Sequence, residues 1–138
     1  MMVKVYAEWN RRRVAGHDWE AIEKTLRQAS KEGAIVHIKN SCPGLNDPRW
    51  LSIEIDEEEG LYLPIISMDI GGPLLYYNNP KATGEFVYFA GGDLRDYTIV
   101  KDFDTILGMA REFFETGRVK GMMSAEELAA ILPINKPK

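Results

Sequence analysis

Between residues 51 and 69 the chain spells out a strand, a turn and a returning strand, and no other stretch restricts the fold as much. Leu51, Ile53 and Ile55 alternate with Ser52, Glu54 and Asp56. Successive side chains of a strand point to opposite faces, so this alternation makes one apolar and one polar face. Glu57-Glu58-Glu59-Gly60 supplies a turn, and Leu61 to Asp69 returns, giving a β-hairpin with an acidic tip. Pro64 has no N–H to offer a neighbouring strand, so the returning strand is an edge at that point or carries a bulge. An antiparallel pair with one apolar face needs an apolar layer laid on it.

Helical patterns supply that layer. Asp18 is placed to N-cap a helix in which Trp19, Ile22, Leu26 and Ala29 share a face, with Gly33 as its stop. Asp102 to Thr116 carries a fuller stripe of Phe103, Ile106, Leu107, Ala110, Phe113 and Phe114, with Gly117 as the expected C-cap. Ser124-Ala125-Glu126-Glu127 is a capping box opening a short helix to about Leu132, and residues 133–138 follow as a frayed tail. Further extended runs are Val3 to Trp9, Ala34 to Lys39, Leu74 to Tyr77 and Glu85 to Ala90. The last of these is apolar on both faces and is expected to be central or covered. Gly91-Gly92-Asp93 ends it, and Tyr97 to Val100 is a short extended approach to the second helix. The order of elements predicts an α+β fold, an antiparallel sheet of about five or six strands with helices packed mainly on one face.

Size and composition narrow the class. The 138 residues predict a single domain, 1–138, able to bury its own core. Hydrophobic residues at 45% and charged ones at 28% are ordinary for a globular chain and argue against disorder. Cys42 is the one cysteine, so no disulfide framework is possible. The first residues lack a basic stretch followed by an apolar run, and no apolar run approaches the roughly 20 residues of a membrane span. The expectation is a cytoplasmic protein with no membrane contact. A net charge of -4 and scattered basic residues, apart from Arg11, Arg12 and Arg13, argue against direct nucleic-acid contact.

The search for chemistry yields no catalytic residue, no metal site and no cofactor. His17 and His37 are far apart, and neither has metal-ligand spacing to Cys42. A Cys42–His37 nucleophile is conceivable, but a cysteine before Pro43 in a loop is more often a plain thiol. Gly71-Gly72-Pro73 and Gly91-Gly92-Asp93 match no phosphate loop and read as turns. The sharpest charged feature is Asp56, Glu57, Glu58 and Glu59. Two readings stand for it: a solvated hairpin tip, or a phosphate mimic that meets a basic, nucleic-acid-handling surface. Asp69, Tyr76, Tyr77 and Asp93 join the tip as candidate partner-binding residues, because tyrosines and charges at turns suit interfaces. Trp50 reads as a core residue. Tyr76, Tyr77, Phe86, Tyr88 and Phe89 also permit an alternative, a small-molecule-binding domain or unrecognised enzyme with an aromatic pocket.

One phrase carries a resemblance. Ala110-Arg111-Glu112-Phe113-Phe114-Glu115-Thr116-Gly117-Arg118 ends an amphipathic helix, and the runs Tyr62 to Asp69, Gly71-Gly72 and Glu85 to Gly92 precede it. This arrangement resembles a family of bacterial immunity proteins found beside polymorphic and contact-dependent toxins, nucleic-acid deaminase toxins among them. The likeness covers about residues 50 to 123. Where that family commonly has a proline and then a tryptophan after the Gly-Arg pair, this chain has Val119-Lys120 and Met122-Met123. The resemblance implies an inhibitor without turnover, a monomer or weak dimer, whose partner is a cognate toxin domain. The family has no shared contact motif, so it transfers no contact residue to this chain.

Overall fold

The computed structural model describes residues 5–9, 12–14, 18–40, 48–68 and 71–132. Cys42, His17, Asp69 and the expected tail at 133–138 lie outside the described residues. The strands are β1 (Val5–Trp9), β2 (Arg12–Val14), β3 (Ala34–Asn40), β4 (Arg49–Asp56), β5 (Leu61–Met68), β6 (Leu75–Tyr77), β7 (Phe86–Phe89), β8 (Gly92–Arg95) and β9 (Met122–Ser124). The helices are α1 (Trp19–Glu32), α2 (Phe103–Thr116) and α3 (Ala125–Ile131). The fold is α+β, as expected. Its main sheet is wholly antiparallel, with seven strands in the order β2-β1-β3-β4-β5-β6-β9, and β7 and β8 form a separate two-stranded sheet.

The expected hairpin is the spine of this sheet. Leu51, Ile53 and Ile55 of β4 stand opposite Ile66, Pro64 and Tyr62 of β5, and all point to one face. Val36 and Ile38 of β3 continue that face. The helices cover it: Ile22, Leu26 and Ala29 of α1 and Ile106, Ala110 and Phe113 of α2 have no exposed surface. Burying one such aliphatic or aromatic side chain contributes roughly 1.5–3 kcal/mol, so this layer carries most of the stability.

The helix ends are closed by side chains. Asp18 accepts from the Glu20 N–H at 2.9 Å, and Asp102 accepts from the Thr105 N–H at 2.9 Å. The capping box of α3 is present, with Ser124 and Glu127 each taking the other's backbone N–H. At the far end of α2, Gly117 adopts the left-handed conformation with φ 73° and donates its N–H to the Phe113 carbonyl. Buried Asn40 on β3 donates to the same carbonyl at 2.7 Å and so pins α2 to the sheet.

Pro64 is explained by strand polarity. The Tyr62 N–H and carbonyl both pair with Val100, so Tyr62, Pro64 and Ile66 turn their backbone groups away from β4. On that side β6 pairs only with Ile65 and Ile66. The missing N–H of Pro64 therefore falls in the gap between the Val100 bridge and β6. The strand is locally an edge there, although it is central elsewhere.

Two expectations are corrected. Glu85 to Ala90 is not a covered central strand: β7 lies in the small separate sheet, with Phe86 63% and Tyr88 53% exposed. Its alternate residues Val87 and Phe89, with Leu94 of β8, pack against Leu61, Leu63 and Ile99 in a second small core. Trp50 is half-buried on the sheet face away from the helices, where the Lys39 ammonium sits 5.1 Å from its ring centre and the His37 ring meets it edge-on at 6.2 Å. Trp50 pairs with Lys39 and Ser67, the out-of-phase positions of β3 and β5, so the register itself excludes it from the main core.

Candidate partner-binding surface

The acidic tip is held in place by Asp56. Its carboxylate accepts the N–H of Ala90 at 2.9 Å and the N–H of Glu59 at 3.1 Å. The Ala90 N–H above all, then that of Glu59, hold the Asp56 carboxyl below its ordinary range, against a smaller effect of burial. The first of these bonds reaches from the end of β4 to the turn joining β7 and β8, a separation of 34 residues. Two hairpins distant in sequence are thus tied at their tips. Glu57, Glu58 and Glu59 are exposed around this tie. The Glu57 carboxylate also lies over Gly33, in the space a β-carbon would fill, and Gly33 has φ +83°. A side chain at position 33 is therefore excluded both by conformation and by Glu57.

The second hairpin presents a mixed outer face. Cross-strand pairing sets Phe86 opposite Arg95 and Tyr88 opposite Asp93. The Arg95 guanidinium stacks 4.2 Å from the centre of the Phe86 ring and donates to the Gly84 carbonyl at 2.6 Å. Asp93 is exposed beside Tyr88.

A buried carboxylate anchors the base of this hairpin. Asp96 has no exposed surface and accepts from the Thr83 N–H at 3.1 Å, the Thr83 hydroxyl at 3.2 Å, the Gly84 N–H at 2.8 Å and the Lys101 ammonium at 2.9 Å. Burial pushes its carboxyl up, but the Lys101 ammonium and the two backbone N–H groups outweigh that and hold it at about 2. Lys101 also donates to Glu85 at 2.7 Å, and these two carboxylates raise its ammonium above the ordinary lysine value.

The candidates read from sequence divide between places. Asp56, Glu57, Glu58, Glu59 and Asp93 are brought together at the tips of the two hairpins. Tyr76 and Tyr77 are neighbours on β6 and so point to opposite faces of the sheet. Their strand meets β5 at Ile65, roughly 15 Å along the strand from the tip. Tyr77 packs on the main core, and burial, then the Asp102 charge, raises its phenol above the ordinary value. It lines a cleft of about 120 Å³ with Asn79, Lys81, Lys101, Asp102 and Thr105. The five aromatic residues considered for a pocket do not converge: Tyr77 lines that cleft, Phe89 is in the second core, and Phe86 and Tyr88 face outwards. The sequence reading missed Phe86 and Tyr88 as surface residues, and missed Asp96 altogether. The signal for Asp96 was a lone carboxylate placed just before the apolar pair Ile99-Val100 and five residues from a lysine.

Among the described residues there is no cluster of three metal-ligating side chains, and no helix is long and apolar enough to cross a membrane. The residues of the 110–118 phrase shape the end of α2. Phe113 is fully buried, and Phe114 meets Trp19 at 5.6 Å between ring centres. The Thr116 hydroxyl donates to the Glu112 carbonyl and accepts the Arg118 N–H. No family model and no curated protein matches the chain. The fold is similar to that of a hypothetical protein from Neisseria gonorrhoeae, with a TM-score of 0.60 over 88% of this chain and 93% of that one, at 14% identity. At that identity the likeness establishes the fold alone.

Proposed function

We propose that this chain is an immunity protein of the bacterial cytoplasm, which binds and neutralises a cognate secreted toxin domain by blocking its active site. The observation that carries the reading is the Asp56–Ala90 tie, which sets an exposed row of carboxylates beside an exposed aromatic face. Aromatic residues give an interface its affinity, and complementary charge speeds association and selects the partner. The resemblance of the 110–118 phrase supports the same reading through the scaffold rather than through contacts. The partner surface that suits this one is basic, as the active site of a nuclease or nucleic-acid deaminase is. The inhibitor works as a monomer or weak dimer and turns nothing over.

The test is a growth assay. The C-terminal domain of the secreted protein encoded immediately upstream is induced in cells with and without this chain. Arrest that is relieved by this chain, and not by an unrelated acidic protein of similar size, is the expected outcome. Arrest that persists at matched expression of folded protein overturns the proposal.

A further inference from the structure

Phe86 and Tyr88 are the most exposed large apolar side chains among the described residues. They take no part in fastening their hairpin, because Val87, Phe89 and Leu94 do that from its other face. Neighbouring exposed rings on one small sheet mark a contact site, since rings contribute much apolar area to an interface at little cost in side-chain order. Their surroundings say what kind of partner fits. Asp93 stands opposite Tyr88, and the Asp56–Ala90 bond holds Glu57, Glu58 and Glu59 at the turn end of the same hairpin. The cation on this face, Arg95, is already committed to the Phe86 ring and the Gly84 carbonyl. What remains outward is flat aromatic surface beside a fixed group of negative charges.

One type of protein site is complementary to both at once. Grooves for single-stranded nucleic acid pair lysines and arginines with phosphates and offer flat side chains on which bases stack. A bare duplex-binding surface accounts for the carboxylates but leaves the rings without a role, because the bases of a duplex are already stacked on one another. We infer that the β7–β8 face and the acidic tip together imitate a short single-stranded nucleic acid and dock in the groove where the cognate toxin holds its single-stranded substrate. This rests on the inhibitor reading and names the part of the toxin that is occupied.

Competition tests it. The upstream-encoded toxin domain, made inactive at its own catalytic residue, is loaded with a fluorescein-labelled single-stranded 12-mer, DNA in one series and RNA in another. The full chain is then titrated in and anisotropy is read. The expected result is one-to-one displacement of the oligonucleotide. Phe86→Ala with Tyr88→Ala is expected to raise the half-displacing concentration roughly thirtyfold, the scale of two lost hot-spot rings. Its thermal melting curve should match that of the wild type, because both side chains are exposed. Ile35→Ala, which removes another exposed apolar side chain, serves as the control and should leave displacement unchanged.

A complex that forms by calorimetry but leaves the oligonucleotide bound overturns the mimicry and spares the inhibitor reading. So does a toxin domain that takes up neither strand, or a double variant that displaces as well as the wild type. Light scattering that shows a dimer, abolished by Phe86→Ala with Tyr88→Ala, assigns the face to a second copy and overturns the mimicry too. Absence of any complex overturns both readings.

Discussion

Asp96 shows how one residue fixes the position of a surface it does not belong to. Its carboxylate gathers Thr83, Gly84 and Lys101 at the base of the β7–β8 hairpin while remaining wholly buried. Asp96→Ala leaves those donors without their acceptor and is expected to cost about 3 kcal/mol, read as a lower urea midpoint at pH 7. The pH dependence has a definite sign. The folded-state carboxyl lies at about 2 against an ordinary 3.8, so the folded chain holds fewer protons between those values. Its contribution is complete above about pH 4 and is lost as pH falls towards 2, a loss of about 2 kcal/mol. Urea midpoints at pH 5 and pH 2 should therefore draw apart in the wild type more than in Asp96→Asn. An equal drop in both would remove Asp96 from the acid response. Nothing in the sequence announced this residue, because its partners come from a turn, a loop and the approach to α2, and no periodic pattern joins them.

Elements were legible where one physical rule governs them. The alternation in β4, the stripes of α1 and α2, the Asp18 cap, the Gly117 cap and the Ser124–Glu127 box all follow from local spacing, and the structure contains each of them. The run 86–89 failed for a definable reason. Four apolar residues in a row read as covered on both faces, whereas here two of them face solvent and one of those is shielded by a stacked arginine. The three-residue strands β2 and β9 are too short to show a period at all. The tie between the two hairpins gives a prediction at this scale. Asp56→Ala frees the Ala90 N–H, and amide exchange in β7 and β8 should quicken roughly fivefold, the worth of one hydrogen bond, while amides of β3 and β4 keep their protection. Uniform quickening across both sheets would mean that Asp56 supports the whole fold rather than the hairpin.

At the scale of the molecule, two layers divide the work. The helices and one sheet face make a core centred on Phe113, which is fully buried and whose carbonyl is held by Asn40 and Gly117. Phe113→Ala should lower stability by about 3–5 kcal/mol, measured by thermal or urea unfolding, and should leave partner affinity unchanged wherever the variant is folded. That separation explains why the site was only half legible. The acidic tip is contiguous in sequence, so its charge is visible there. The aromatic half and Asp93 come to it only through the Asp56–Ala90 bond across 34 residues. Tyr76 and Tyr77, adjacent in sequence, are parted by the alternation of their strand.

The most direct test of the central claim, an inhibitory complex made through the joined hairpin tips, is calorimetry of this chain with the upstream-encoded toxin domain at about 50 mM and about 300 mM salt, for the wild type and for Glu58→Lys with Glu59→Lys. The expected result is tight one-to-one binding that weakens as salt rises, with a clearly smaller salt slope in the double variant, since charges at a binding rim are screened over about a Debye length. Tight binding whose strength and salt slope are identical in the two proteins would place the interface elsewhere, and no binding by the folded wild type would contradict the account as a whole.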